Sequence, residues 1–358
     1  MDALSIIRTY LSEHALDGLI VTRRDNFSWI TRGCENHVMD NTEVGVASLL
    51  ITPDGVLCVA DCSDAARIYE EELPFSAQCV SVPWYDSMEA EWRRQIDGKR
   101  IASDTGISGT PCVQTDLIPL RMTLDEEQKA VYRQLGADCA AILEHIIGSA
   151  RPGQSEAQLA AQLAGEMAQK NIRASCILIG SDERTRKYRH PMPTDKTIEN
   201  DVMMVAGAER GGLWVSMTRM VSFSPLSQEV RDRFEATQHI FAAMQCHMSP
   251  GMSYREYFAF VQELYAQYAL PDEWKQHHQG GPTGYACREF VVRPDTEGAI
   301  QSEQAYAWNP TFMGTKCEET TLLTREGIEV LTKTSDWPRH AVDTPWGSFS
   351  VADILVLG

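Results

Sequence analysis

Two Pro-Gly-X-Ser turns stand 98 residues apart in this 358-residue chain, at Pro152-Gly153-Gln154-Ser155 and at Pro250-Gly251-Met252-Ser253. Each serine is a candidate helix N-cap, with Gln158 or Glu256 three residues on to complete a capping box. Each is preceded by a helical pattern, over 124–148 and 227–247, and followed by a β-rich stretch. A bare Pro-Gly-X-Ser match is common, whereas a match in helix, cap, helix and strands together is much rarer. The pattern predicts two similar halves, each a helix pair plus sheet. A functional site is expected where the halves meet.

The residues before about 120 read differently. LSIIRTYLSEHALDG predicts an amphipathic helix, LIVT a short strand and NFSWITRG a second strand. VASLLITPDGVLCVA is two apolar runs around a Pro-Asp-Gly turn, a hairpin signal. CVSVPWY and RIASD add strands, so a small α/β domain is expected over 1–120. Thr123 as N-cap with Glu126 opens a helix to about Gly148, with Val131, Leu135, Ile142 and Ile146 on its core face. The second domain is expected over 121–358, with the boundary near Ile118–Thr123.

Composition narrows the function classes. A net charge of −18 disfavours phosphate backbones and anionic lipid surfaces, so no nucleic-acid or membrane partner is expected. No stretch approaches the ~20 apolar residues that cross a bilayer, and the N-terminal segment lacks a signal-peptide pattern. Ten cysteines without a CxxC pair read as reduced, buried thiols. A cytoplasmic protein is expected. There is no G-x-S-x-G elbow, P-loop or dinucleotide fingerprint.

The segments MVAGAERGGLWVSMTR (204–219), HHQGGPTG (277–284) and AYAWNPTFMGTKCEETTLLTREGIEVLT (305–332), together with the Pro-Gly-X-Ser-Glu turn, resemble the creatinase/prolidase/aminopeptidase P family. The similarity spans essentially the whole chain. It implies an α/β creatinase-like N-terminal domain followed by an α+β pita-bread domain with a pseudo-twofold repeat. In metal-bearing relatives five residues hold two divalent ions. The corresponding positions here are Val205 and Ser216 in place of two Asp, Gly281 in place of His, Asn309 in place of Glu, and Glu318, which is kept. Thr218, Arg219, His277, Gly280, Gly284 and Pro310 match the scaffold around them. Valine and glycine offer no side-chain donor, and serine and asparagine are weak neutral ones. No metal and no other cofactor is expected; a different metal site using His190, His277 and Glu318 is the alternative.

Without a Lewis acid, hydrolysis needs a base for water, an acid for the leaving group and fixed donors for developing charge. The resemblance places His190, in KYRHPMPTD, where creatinase has its acid/base. It makes Glu318 a substrate orienter, and it sets Arg288 where metallopeptidase relatives carry a catalytic histidine. Each has a plainer reading: His190 as a loop histidine, Glu318 as a relic paired with Arg219, Arg288 as a partner of Glu289 or Glu209. Of His277 and His278, strand alternation allows one to face the site, and His277 matches the motif. Ser216, Asn309 and Arg219 complete the candidate substrate contacts. Cys287 is a weaker candidate nucleophile.

The leading expectation is a metal-independent, creatinase-like hydrolase that cleaves a C–N bond in a small polar, carboxylate-bearing molecule. The alternatives are an Xaa-Pro metallopeptidase and a non-catalytic peptide-binding module. Family members are commonly homodimers, so a homodimer is expected, with Arg23, Arg24 and Arg32 as candidates to reach a partner's site.

Overall fold

The computed structural model describes residues 2–268 and 270–358, which divide into two units, Met1–Met122 with the turn Gly211–Leu213, and the remainder. The first unit runs α1 (Ala3–Glu13), β1 (Gly18–Arg23), α2 (Arg24–Thr31), β2 (Val44–Ile51), β3 (Val56–Asp61), α3 (Ala65–Glu71), β4 (Gln78–Val82), α4 (Met88–Ile96), β5 (Ile101–Ser103) and α5 (Gln114–Met122). Its five-stranded sheet has the order β4-β3-β2-β1-β5. The Pro-Asp-Gly hairpin forms as expected, pairing β2 with β3 antiparallel.

NFSWITRG forms helix α2, not a strand. The deciding terms are local. Asp25 stands in the first turn, where the helix dipole favours an anion. The Thr31 hydroxyl donates to the Phe27 carbonyl at 2.7 Å. Arg32 closes the helix in the left-handed region, at φ 58°. The side chains of Asn26 and Asp25 are then drawn inward by Arg121.

The second unit opens with α6 (Glu126–Gly148), α7 (Glu156–Ala168), β6 (Arg173–Ser181), α8 (Glu183–Lys187), β7 (Asp201–Arg210) and β8 (Leu213–Ser222). It continues with α9 (Gln228–His247), α10 (Tyr254–Gln267), β9 (Gly280–Thr283), β10 (Gln304–Trp308), β11 (Thr311–Phe312), β12 (Thr315–Lys316), β13 (Glu319–Thr324) and β14 (Gly327–Val330). The chain ends in β15 (Arg339–Thr344), β16 (Gly347–Ala352) and β17 (Leu355–Val356). The N-cap of α6 is Asp125, which forms a reciprocal box with Gln128, so the cap lies two residues beyond Thr123. Tyr132 takes the buried place expected of Val131, which is exposed, while Leu135, Ile142 and Ile146 are core.

The repeat is visible bond by bond. Ser155 caps α7 with a complete box through Gln158, and Ser253 caps α10 by accepting from the Glu256 amide. Gly153 and Gly251 both turn at positive φ (96° and 90°). Gly153 N donates to Ile198 O at 3.0 Å and Gly251 N to Ile300 O at 2.8 Å; Ile198 N and Ile300 N return bonds of 2.9 Å to Gln154 O and Met252 O. Each half carries a four-stranded sheet, β17-β8-β7-β6 and β14-β13-β10-β9. The aromatic positions of α10 pack inward, with Tyr257 and Tyr265 fully buried and the Tyr257 ring 4.8 Å from Trp308.

A seam joins β8 to β13. Ser216 N donates to Thr320 Oγ1 at 2.7 Å, Thr320 Oγ1 donates back to Ser216 O at 3.0 Å, and Thr218 N donates to Glu318 O at 3.1 Å. This seam fixes the candidate site. All ten cysteines are unpaired, but only Cys58, Cys139 and Cys317 are buried. Cys62, Cys79 and Cys112 are exposed, Cys79 on the edge strand β4 and the other two outside the strands.

Candidate active site

Alternation along β8 and the adjoining 318–320 segment sorts the acids and bases into two clusters. Thr218 and Glu318 face one side, Arg219 and Glu319 the other. On the first side Glu318 is buried and fully engaged. Thr218 Oγ1 donates to its Oε2 at 2.7 Å, Lys316 Nζ stands 3.0 Å from the same oxygen, and Arg288 Nη2 donates to Oε1 at 3.1 Å. Burial alone would raise the Glu318 carboxyl; the Lys316 ammonium, the Arg288 guanidinium and the Thr218 hydroxyl outweigh it and hold it at about 2. Arg288 also donates to Ser216 Oγ at 3.0 Å and to the Cys287 carbonyl at 2.6 Å.

On the second side Arg219 is enclosed. Its guanidinium donates to Glu144 at 2.7 Å and to the carbonyls of Thr218 (2.9 Å) and Thr332 (2.7 Å), and pairs with Glu319 at 3.2 Å. Arg339 completes this cluster at 2.8 Å from Glu319. Arg219 is therefore spent on the scaffold and does not touch the Glu318 side. The expected Arg219–Glu318 pair is replaced by Arg219–Glu319. Arg288 pairs with Glu318, while Glu289 accepts from the Tyr285 amide and Glu209 pairs with Arg173.

The histidines come from two segments. His190 lies in a loop pinned on both sides. Pro191 O accepts from Ile179 N at 3.0 Å, and Arg189 pairs with Glu273 and donates to Thr311 Oγ1 at 3.2 Å. Gly180 lets that loop close on β6, since a Cβ there would lie 2.7 Å from the Pro191 ring. The loop sets His190 Nε2 3.0 Å from His277 Nε2. His277 Nδ1 lies 2.5 Å from the His278 carbonyl, which can only accept, so Nδ1 carries the proton. Neutral His277 then accepts at Nε2 from His190 Nε2–H, leaving His190 Nδ1 as the free basic nitrogen. Burial, aided by Lys316, pushes His277 down to about 3, and the same two causes lower His190.

His278 does not turn away as strand alternation implies. The pleat begins only at Gly280; before it, the rings of His277 and His278 stack 4.4 Å apart at 25°. One nitrogen from each of His190, His277 and His278 falls within 4.8 Å of the others.

The positions of the family's metal ligands do not fit a metal pair. Val205 is buried in the apolar core, and Ser216 Oγ accepts from Arg288. A Cβ on Gly281 would lie 2.3 Å from the Phe290 carbonyl, so the backbone has closed over the place a side chain would need. Asn309 is buried with Oδ1 unpartnered among the described residues. Two protein cations already neutralise Glu318. Lys316 is the residue that sequence reasoning passed over, although two residues from Glu318 on an extended segment is same-face spacing. Arg23 and Arg24 are engaged within their own unit, Arg23 by Asp25 and Glu43 and Arg24 by the carbonyls of Asp40 and Thr42.

A repeated helix-pair-and-sheet unit after a small α/β unit, with the polar seam between halves, defines a pita-bread protein of the prolidase and aminopeptidase P type. The chain belongs to metallopeptidase family M24, which it matches over residues 130–327, and is thus a member of a hydrolase family. The prolidase from Pyrococcus horikoshii OT3 superposes with a TM-score of 0.78 at 17% identity, over 93% of this chain and 98% of that one. The Xaa-Pro dipeptidase from Bacillus anthracis gives 0.78 at 15% identity over 99% of each chain. The X-Pro aminopeptidase from Thermotoga maritima MSB8 gives 0.77 at 16%, over 99% and 100%. No curated protein matches the sequence. Among the described residues no helix is long and apolar enough to cross a membrane.

Proposed function

We propose that this protein is a hydrolase that works without the family's two-metal centre and cleaves a C–N bond in a small, carboxylate-bearing molecule. The observation that carries this reading is the engagement of Glu318, the one family ligand retained, by Lys316, Arg288 and Thr218. Two cations against one carboxylate leave this cluster one positive charge in excess, which suits an anionic substrate group. Glu318 is then a positioning residue for Lys316 and Arg288 and not itself the substrate orienter that the sequence suggests.

His190 supplies the proton step. As a neutral imidazole it takes a proton from water at Nδ1 while the water oxygen attacks the carbon of the C–N bond. It then returns the proton to the departing nitrogen as that bond breaks. His277 fixes the ring by accepting from His190 Nε2–H. Ser216, which accepts from Arg288, and the buried Asn309 serve as polar contacts for the substrate on this reading. On this reading the protein acts on a small-molecule substrate, and a homodimer is its proposed assembly.

The second reading, an Xaa-Pro metallopeptidase, is favoured by the names of the structural neighbours and opposed by the donor set. The test is turnover of an amide, amidine and Xaa-Pro dipeptide panel by protein stripped with chelator and assayed for bound metal. Activity is expected to survive stripping, and His190→Ala is expected to lower kcat by about 10²–10⁴. Activity that appears only with two equivalents of Mn²⁺, Co²⁺ or Zn²⁺ refutes the reading.

A further inference from the structure

The cluster of His190, His277 and His278 has a chemistry that the hydrolytic reading leaves unused. Three imidazoles on a short arc are an unusual arrangement to leave facing one another, since each neutral ring offers only one donor and one acceptor. Here the His190–His277 contact of 3.0 Å is satisfied by a single shared proton, and His277 Nδ1 is committed to the His278 carbonyl. The Nε2 atoms of His190 and His277 thus face each other across 3.0 Å, and one nitrogen of the His278 ring lies within 4.8 Å of a nitrogen on each of the other two rings.

We propose that His190, His277 and His278 form a mononuclear site for one late first-row divalent ion, Zn²⁺, Ni²⁺ or Cu²⁺, distinct from the two-metal position of the family. With bonds of about 2.05 Å, two nitrogens 3.0 Å apart subtend an angle of roughly 94° at a common ion. That is close to the right angle of tetragonal Cu²⁺ or Ni²⁺ and within reach of tetrahedral Zn²⁺ after a small opening. His190 needs only to move its proton to Nδ1 to free Nε2 for the ion. His278, an exposed residue whose ring stacks on His277, must approach from as far as 4.8 Å by rotating its side chain. The firm backbone of the other two ligands fixes the rest: Pro191 and Arg189 pin one, and β9 anchors the other.

The surroundings select the ion class. Lys316 and Arg288 repel a dication, and Glu318 offsets one of these two charges. Among the described residues the group offers three imidazoles, and the nearby Glu318 carboxylate is paired with Lys316 and Arg288, so hard ions such as Mg²⁺ and Ca²⁺ are disfavoured, whereas imidazole nitrogen holds Cu²⁺, Ni²⁺ and Zn²⁺ by covalency. On the function proposed above, an ion there blocks the ring that moves the proton, so the position is inhibitory; the binding site itself does not depend on that reading.

The test is calorimetric titration of the metal-free full-length protein with Zn²⁺ and Ni²⁺, with electron paramagnetic resonance of the Cu²⁺ form to count coordinated nitrogens. One equivalent is expected, with nitrogen couplings from three imidazoles. His278→Gln, at an exposed position that the fold tolerates, is expected to weaken binding at least tenfold, as are His190→Ala and His277→Ala. His239→Ala, an exposed histidine on α9, is expected to change nothing, and Lys316→Met to tighten binding. Absence of binding to the wild-type protein overturns the proposal. So does affinity unchanged in His278→Gln, or a stoichiometry of two that the histidine variants leave intact.

Discussion

Gly281 occupies the position where relatives place a metal-binding histidine, and here the main chain leaves no room for one. The segment after β9 folds back along it, with Glu289 N donating to Pro282 O at 2.9 Å and Val292 N to Gly280 O at 3.0 Å. On the other side β10 pairs Ala307 with Gly281. A Cβ at 281 would stand 2.3 Å from Phe290 O and 3.3 Å from Val292 N, where ordinary contacts begin at 3.4 Å. Gly281→Ala thus forces the Phe290 carbonyl back by roughly 1 Å and strains both hydrogen bonds. Overpacking of this kind costs about 1–3 kcal/mol, and weakening the two bonds adds about 1 kcal/mol more. For a unit of this size the total corresponds to a fall in Tm of roughly 4–16 °C. Gly165, in an exposed turn of α7 with nothing within 4 Å of its added Cβ, is the matched control: Gly165→Ala gains up to about 1 kcal/mol. Calorimetry of the two variants beside wild type decides the matter. A Gly281→Ala protein that melts with wild type refutes the closed-backbone reasoning. So does tight binding of two Mn²⁺ ions by the combined Val205→Asp, Ser216→Asp, Gly281→His, Asn309→Glu variant, which is expected to bind no such pair.

Glu318→Gln strands two buried cations and is expected to cost about 3–5 kcal/mol at pH 7, read by urea denaturation. Because the folded-state pKa is lowered from 4.5 to about 2, the ionised carboxylate stabilises above pH 4.5 and its contribution fades as pH falls through 2. The deficit of Glu318→Gln should therefore narrow over that window, and a deficit independent of pH counts against the ion cluster. Arg219→Met leaves Glu144 and Glu319 buried without their shared cation; a loss of about 3–5 kcal/mol is expected, and a loss below ~1 kcal/mol contradicts its scaffold role. Glu156 is wholly buried and accepts from Ser181 N (2.9 Å) and Thr194 Oγ1 (2.8 Å), so Glu156→Ala should unfasten the loop toward His190 and raise hydrogen exchange over 188–196.

The features legible in the sequence were those written in local chemistry. The two Pro-Gly-X-Ser turns, their serine caps and the Pro-Asp-Gly hairpin each depend on residues within a few positions and formed, although only Ser155 has the complete box; at Ser253 the serine half alone is present. Leu135, Ile142 and Ile146 were recoverable from helical period. NFSWITRG misled because its apolar residues fit either period over so short a run; the Thr-Arg-Gly end was the available clue to a helix. Thr123 and Asp125 both begin plausible boxes, and the choice fell to Asp125, whose box is closed by Gln128. The segments of the candidate site could be named from the sequence, but not how their side chains pair. Lys316, Arg288 and Glu318 meet across β8 and the 287–288 loop, and nothing short of the fold says which acid faces which base. The neighbourhood of His278 required the backbone before β9, which departs from the pleat that alternation assumes.

The Arg219 cluster has a mechanical consequence. Arg219 belongs to β8 and Glu144 to α6, both in the first half of the repeat; Glu319 and Thr332 belong to the second. A buried guanidinium shared by both halves makes them melt as one body, because opening either alone exposes an unpaired charge inside the other. The duplicated architecture thus gives up the independence that its repeat would otherwise allow, and slow breathing of one half is transmitted to the other through this guanidinium together with the β8–β13 seam.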